Sequence, residues 1–269
     1  MTDHWAEGDV LTNGIRMHYY RTGGDKPPLV LAHGFSDNGL CWSPVARVLQ
    51  ADYDVIMIDA RNHGKSEAPA TAGGSRAQGD DLAGLIRALK LEEPAVMGHS
   101  MGGGATLQAC ANHPGLIRRA ILEDSGPTEP RPEMMTPEMR RRNTGWAEEL
   151  KSKTREEIIA IGRRQSPNWP EDEMGPWADS KMQLNLAAAQ QIGGSPEPWR
   201  EVFARVTCPM LILRSDNNLG SSVTPELAAE AERLFKLVRA VYIPGAGHNI
   251  RRENRPAFLA AVQAFLAEG

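Results

Sequence analysis

Apolar residues fall along the chain in short unbroken runs separated by glycine-bearing turns and by stretches of helical spacing. Leu29-Val30-Leu31-Ala32 and Val55-Ile56-Met57-Ile58 are four-residue runs, the pattern of strands buried on both faces of a parallel sheet. Ahead of them, Val10 to Arg21 reads as two strands joined at Asn13-Gly14, a dipeptide that readily takes the positive φ angles of a tight hairpin turn. Pro44 to Leu49 supplies a crossover helix. Leu82, Leu85, Ile86 and Leu89 recur at helical spacing before a strand at Ala95 to Met97, and Thr106 to Ala111 continue a helix that begins after Ser100. Arg119 to Glu123 gives a further strand. The alternation then stops. From 127 to 199 the chain is rich in proline, charge, methionine and tryptophan, with Trp146, Trp169, Trp177 and Trp199 all inside it. It resumes with a strand at Met210 to Leu213, a helix at Pro225 to Lys236, a strand at Ala240 to Ile243 and a closing amphipathic helix at Arg255 to Leu266.

Strands alternating with helices predict an α/β fold with a mostly parallel sheet flanked by helices. The interruption predicts an inserted helical cap, so residues 1–126 and 200–269 form one core domain and 127–199 a lid above it. A chain of 269 residues suffices for one such core.

Composition narrows the possible partners. Apolar residues make up 41% and charged residues 24%, ordinary globular usage that excludes a disordered or fibrous chain. Thirty basic against 34 acidic side chains give a net charge of −4, and Arg140-Arg141-Arg142 is the only dense basic run, so nucleic acid is not an expected partner. No apolar stretch approaches the roughly 18 residues that span a bilayer, and Met1 to Asp9 lacks the basic and apolar segments of a secretory leader. The expectation is a cytoplasmic protein without membrane contact, monomeric or homodimeric. Cys41, Cys110 and Cys208 are odd in number, far apart and without CxxC spacing, which implies neither disulfides nor a metal site.

The chemistry is concentrated in turns that follow strands. Gly98-His99-Ser100-Met101-Gly102 sits between an apolar strand and a small-residue helix start, so Ser100 occupies a nucleophile elbow, a turn that presents its oxygen to substrate. A serine nucleophile needs a base, and His248 lies in a glycine-rich loop after a late strand, Gly245-Ala246-Gly247-His248-Asn249. His4, His18 and His113 have no such context, and His99 is read as packing behind the elbow. A carboxylate must orient the base. Asp124, after the strand Arg119 to Glu123, and Asp216, after the strand Met210 to Leu213, both qualify by position. Charge on a tetrahedral intermediate needs backbone N–H donors. Phe35 in His33-Gly34-Phe35-Ser36 and Met101 at the start of the elbow helix would supply them, with the helix dipole favouring negative charge at Met101. The turn Asp59 to Ser66, with Arg61 and His63, is read as structural bracing.

Taken together, these residues resemble the α/β-hydrolase-fold enzymes. The likeness rests on His33-Gly34-Phe35, the Asp59 to Ser66 turn, Gly98 to Gly102 and Gly245 to His248, in the family's order, and runs from the first hairpin to the last helix. By that resemblance Ser100 is nucleophile, His248 base, and Phe35 and Met101 oxyanion donors. Many relatives carry the acid after the strand equivalent to Met210 to Leu213, in a Gly-x-x-Asp pattern. Here Asn218 falls at that place, and some relatives carry the acid one strand earlier, so the resemblance favours Asp124 with Asp216 as the alternative. Haloalkane dehalogenases and epoxide hydrolases of this fold use an aspartate at the elbow, which Ser100 argues against.

The implied activity is cofactor-free and metal-free hydrolysis of a small-molecule ester through an acyl-enzyme. Met135, Trp146 and Trp169 in the cap, with His33 and Gly34, are the expected substrate contacts, suited to small or medium hydrophobic groups. The same triad also serves carbon–carbon, amide and lactone hydrolysis, and the fold also serves ligand receptors and cofactor-free oxygenases.

Overall fold

The computed structural model describes residues 5–69, 73–129, 136–190 and 197–268. Its strands are β1 (Ala6–Thr12), β2 (Ile15–Arg21), β3 (Pro28–Ala32), β4 (Asp54–Ile58), β5 (Ala95–His99), β6 (Arg119–Glu123), β7 (Met210–Arg214) and β8 (Val238–Tyr242). They form one sheet in the order β1-β2-β4-β3-β5-β6-β7-β8. The β1–β2 hairpin pairs antiparallel within itself and onto β4, while every pairing from β4 to β8 is parallel. Asn13 and Gly14 both take positive φ at the hairpin turn, as the dipeptide requires.

The helices are α1 (Ser43–Leu49), α2 (Gly74–Ala88), α3 (Met101–Asn112), α4 (Pro137–Lys151), α5 (Arg155–Gln165), α6 (Glu171–Gln183), α7 (Leu186–Gln190), α8 (Trp199–Phe203), α9 (Pro225–Leu234), α10 (Ile250–Glu253) and α11 (Arg255–Ala267). Because side chains alternate along a strand, each apolar run feeds two cores. Leu29, Leu31, Val55, Met57, Met97, Ile121 and Leu211 point to one face, where they meet Val45 and Leu49 of α1 and Phe258, Val262 and Phe265 of α11. Val30, Ile56, Val96, Leu122 and Ile212 point to the other, against Leu82 and Leu85 of α2, Leu107 of α3 and Ala228 of α9. Burial on both faces explains why the central strands read as continuous apolar runs.

Between β6 and β7 the chain leaves the sheet for α4 to α8. Two small apolar clusters organise this region. One joins Ala147, Leu184 and Ala188 with Trp146, Leu186 and Phe35. The other joins Ile158, Trp177 and Ala178 with Ile161 and Trp169. Trp199, read with the insertion, instead packs edge-on to Phe203 and Phe235 in the core under the sheet. All three cysteines are buried free thiols. No helix among the described residues is long and apolar enough to cross a membrane.

Candidate active site

The chemically active side chains gather at the carboxyl ends of the parallel strands, where an open α/β sheet forms its crevice. Ser100 follows β5 with φ 51° and ψ −111°, a strained conformation for a residue bearing a side chain. The neighbouring glycines allow that turn to be compact. A Cβ on Gly98 would lie 2.2 Å from the Gly102 carbonyl oxygen, and one on Gly102 2.2 Å from that of Ala32, so strand, elbow and helix close together only where no side chain intervenes.

His248 reaches Ser100 from the loop after β8, its Nε2 lying 2.9 Å from the serine Oγ. On its other side Nδ1 meets Oδ2 of Asp124 at 2.5 Å. Asp124 is fully buried, whereas the His248 side chain is 36% exposed, so a substrate can reach the imidazole but not the acid. The carboxylate is further held by the segment after β7: the Ser221 hydroxyl (2.7 Å) and the N–H groups of Ser222 and Val223 donate to it.

Of the two acids left open by spacing, only Asp124 faces the histidine. Asp216 is half-buried and accepts hydrogen bonds from the Tyr242 hydroxyl and the Gly245 N–H. Those bonds hold its carboxyl below the usual range and brace the turn that leads into the His248 loop.

The segment after β3 forms a turn in which the Asp37 N–H donates to the Gly34 carbonyl, with Ser36 at φ 65°. His33 beneath it is fully buried. The Ala60 N–H donates to Nε2, so Nδ1 carries the proton and donates to the Gly34 carbonyl. Burial pushes this ring down to about 3, and it stays neutral. Expected as a substrate contact, His33 thus has both nitrogens committed to backbone groups, one in its own loop and one in the turn after β4. Gly34 lies against the elbow, where an added Cβ would come 2.5 Å from Nδ1 of His99. The N–H groups of Phe35 and Met101 find no protein acceptor among the described residues, and both residues are partly exposed beside Ser100.

His99 does more than pack behind the elbow. Its Nε2 donates to the backbone carbonyl of His248 at 2.9 Å, the rings stand 4.8 Å apart, and burial holds it well below its ordinary range. The turn after β4 matches its bracing assignment. Asp59 accepts from the Gly39 and Lys65 N–H groups, and Arg61 forms a buried pair with Asp81 of α2. His63 stands edge-on to Phe35, and burial lowers it to about 4.

Among the cap residues singled out, Trp146 shares a cluster with Phe35. Trp169 does not: it packs edge-on to Trp177 and over the Arg252 guanidinium. Met135 lies outside the described residues.

Sequence reasoning missed a buried ionic cluster that links these parts. Asp37 accepts from Lys181 of α6 and from Arg251 and Arg252, which follow His248. Arg251 also pairs with Glu123, the residue before Asp124, and Arg252 with Glu173 of α6. Burial alone would raise Asp37, but the three cations outweigh it and hold the carboxyl well below its ordinary range. Glu123 shows the opposite balance, burial raising it despite Arg251.

A serine hydroxyl, an imidazole and a carboxylate in series after β5, β8 and β6, with a run of helices inserted between β6 and β7, are the arrangement of an α/β hydrolase. Residues 29–262 match the model of the alpha/beta hydrolase family, and the chain belongs to that family. It is 28% identical to the 2-(acetamidomethylene)succinate hydrolase of Mesorhizobium japonicum, covering 98% of this chain and 96% of that one. It is 26% identical to the N-formylmaleamate deformylase of Pseudomonas putida, covering 99% and 98%. Among solved structures, E-2-(acetamidomethylene)succinate hydrolase superposes with a TM-score of 0.80 at 24% identity, over 98% of this chain and 99% of that one. The enol-lactonase of Burkholderia xenovorans superposes at 0.71 with 22% identity, over 97% and 100%.

Proposed function

We propose that this hydrolase cleaves carboxylic esters of small to medium apolar groups through an acyl-enzyme on Ser100, with His248 as base and Asp124 as orienting acid. The observation that carries the reading is the unbroken series Asp124–His248–Ser100, with the backbone N–H groups of Phe35 and Met101 left without an acceptor among the described residues. Ser100 Oγ attacks the acyl carbon as its proton passes to Nε2, and the oxyanion accepts from the N–H groups of Phe35 and Met101. The imidazolium then protonates the leaving alcohol. Water, activated by the same imidazole, releases the acid and restores the serine. The helices between β6 and β7 act as a cap, with the partly buried Phe35 and Trp146, backed by Leu184, offering apolar surface that favours uncharged acyl or aryl groups.

A second reading, amide hydrolysis by the same residues, is favoured by the two relatives matched over nearly the whole chain. One is named for an acetamido compound and the other as a deformylase of an N-formyl compound.

The test is a series of p-nitrophenyl esters of rising chain length beside N-formyl and N-acetyl amides, run on the wild type and Ser100→Ala. We expect turnover of short and medium esters that falls by about 10⁴-fold or more in the variant. Full ester turnover by Ser100→Ala rejects the mechanism, and faster amide than ester cleavage selects the second reading.

A further inference from the structure

Lys181 is a lysine with almost no access to water, 2% exposed, on a helix of the insertion. Its ammonium spends all three donors on named partners: the Ser36 carbonyl at 2.9 Å, Asp37 Oδ1 at 3.0 Å and the Ser180 hydroxyl at 3.1 Å. The first two partners belong to the turn that carries Phe35. That turn holds Ser36 at φ 65°, in the left-handed region, a conformation that a residue with a side chain keeps where its surroundings over-determine it. Here the surroundings are cationic. Lys181 fixes the carbonyl of the strained residue, and Arg251 and Arg252 fix the far oxygen of Asp37.

We propose that Lys181 is a positioning residue for the oxyanion hole: delivered by α6, it locks the Gly34–Asp37 turn so that the Phe35 N–H stays aimed at the reacting carbonyl. The inference rests on the acyl-transfer reading above. Because Lys181 comes from the insertion while Arg251 and Arg252 come from the segment after His248, Asp37 is the point where cap, oxyanion turn and base loop are tied together. A cap displaced from the core would withdraw the ammonium and free the turn, so docking of the cap and completion of the oxyanion hole are one event.

The cluster also tells which variants keep the interior neutral. Three buried cations (Lys181, Arg251, Arg252) face three buried carboxylates (Asp37, Glu123, Glu173), and at the rim Arg255 pairs with both Glu173 and Asp172, adding one charge of each sign. Lys181→Met leaves Asp37 with two partners, whereas Lys181→Met combined with Asp37→Asn leaves two guanidiniums facing two carboxylates. Breaking one partner of a buried pair is the more damaging change, so the double variant is the safeguard against misfolding.

The experiment measures kcat and KM on p-nitrophenyl acetate per active site, with sites counted by phosphonate labelling of Ser100, and the inhibition constant of a trifluoromethyl ketone that forms a hemiketal oxyanion on the serine. Complete loss of one oxyanion donor costs about 10²- to 10³-fold in kcat, so a misaimed donor is expected to cost about 10- to 100-fold. We expect that loss in Lys181→Met and in the double variant, with KM within about threefold and ketone affinity weakened by a similar factor. Lys181→Arg should recover most of it. A merely structural lysine would lower the number of labelled sites but leave kcat per site and ketone affinity unchanged, and that result overturns the inference. Should phosphonate fail to label Ser100 and Ser100→Ala keep wild-type turnover, the acyl-transfer reading itself fails whatever Lys181 does.

Discussion

Asp124→Asn makes a sharp test, because the structure decides which way the new amide must point. Asp124 receives four donors: the Ser221 hydroxyl, the N–H groups of Ser222 and Val223, and Nδ1–H of His248. An asparagine has one oxygen to accept with, and three of the four donors come from the segment after β7. The oxygen therefore turns to that segment and the amide NH₂ faces Nδ1. His248 must then present a lone pair at Nδ1 and carry its proton on Nε2, the nitrogen that faces Ser100. It can no longer take the serine proton, and an imidazolium has no carboxylate beside it. The same exchange in other serine triads costs about 10⁴-fold in kcat, which corresponds to about 5.5 kcal/mol of barrier. The assay is p-nitrophenyl ester hydrolysis per phosphonate-labelled site, run beside Asp216→Asn. The second variant should stay within about threefold of wild type, since among the described residues the Asp216 carboxylate accepts from Tyr242 and Gly245 and does not meet His248. Near-normal turnover in Asp124→Asn with collapse in Asp216→Asn would refute the reasoning and exchange the roles of the two acids.

Two further outcomes follow from the same geometry. Gly102→Ala drives a Cβ to within 2.2 Å of the Ala32 oxygen and 2.6 Å of the His33 oxygen, both backbone. It should destabilise by about 1 to 3 kcal/mol, lowering Tm by roughly 5 °C, and should lower kcat by shifting the Met101 N–H; an unchanged Tm would show that the elbow can open. Acid should weaken the fold through its buried imidazoles. His33 and His63 are lowered from 6.5 to about 3 and about 4, so below pH 6.5 the unfolded chain binds protons that the folded protein refuses. Their contribution is complete above that pH and is lost as pH falls through the window, by about 2 kcal/mol per ring at pH 5. Denaturant unfolding at pH 7 and pH 5 should therefore show a smaller acid loss for His63→Gln than for wild type, and equal losses would dismiss the assignment.

Much of the scaffold was readable in the chain because strands buried on both faces leave unbroken apolar runs. Leu29 to Ala32, Val55 to Ile58 and Met210 to Leu213 lie within the observed β3, β4 and β7. The last strand was read two residues late, at Ala240, because β8 lies at the sheet edge with only Val238 buried and so carries little apolar signal. The turns that bring Ser100 and His248 together were legible since their flanking glycines mark places where the backbone must close up. The choice of acid was not settled by spacing, as both aspartates follow strands; what separates them is a set of donors from Ser221, Ser222 and Val223 that no local pattern announces. The ionic cluster was invisible for a related reason. Charged residues such as Lys181, Arg251 and Arg252 normally mark a solvated face, and only tertiary packing shows that each meets an opposite charge nearly a hundred or more positions away. The stacking of Trp169 over Arg252 was not legible, because an aromatic residue has equal reason to wall a cavity or to cover a guanidinium.

Asp124 directly follows β6, the last strand before α4 to α8, and Gly126, at φ 119°, lies where an added Cβ would come 3.1 Å from Leu122 and 3.3 Å from Phe203. Remodelling the outward junction therefore means rebuilding the reaction centre's own foundation. The returning limb ends on α8, rooted in the core through Trp199, Val202 and Phe203, and Phe203 meets that same Gly126. Exchange of one roof for another, by evolution or by engineering, should consequently leave 124–126 and α8 untouched and confine its splices to the stretch between them.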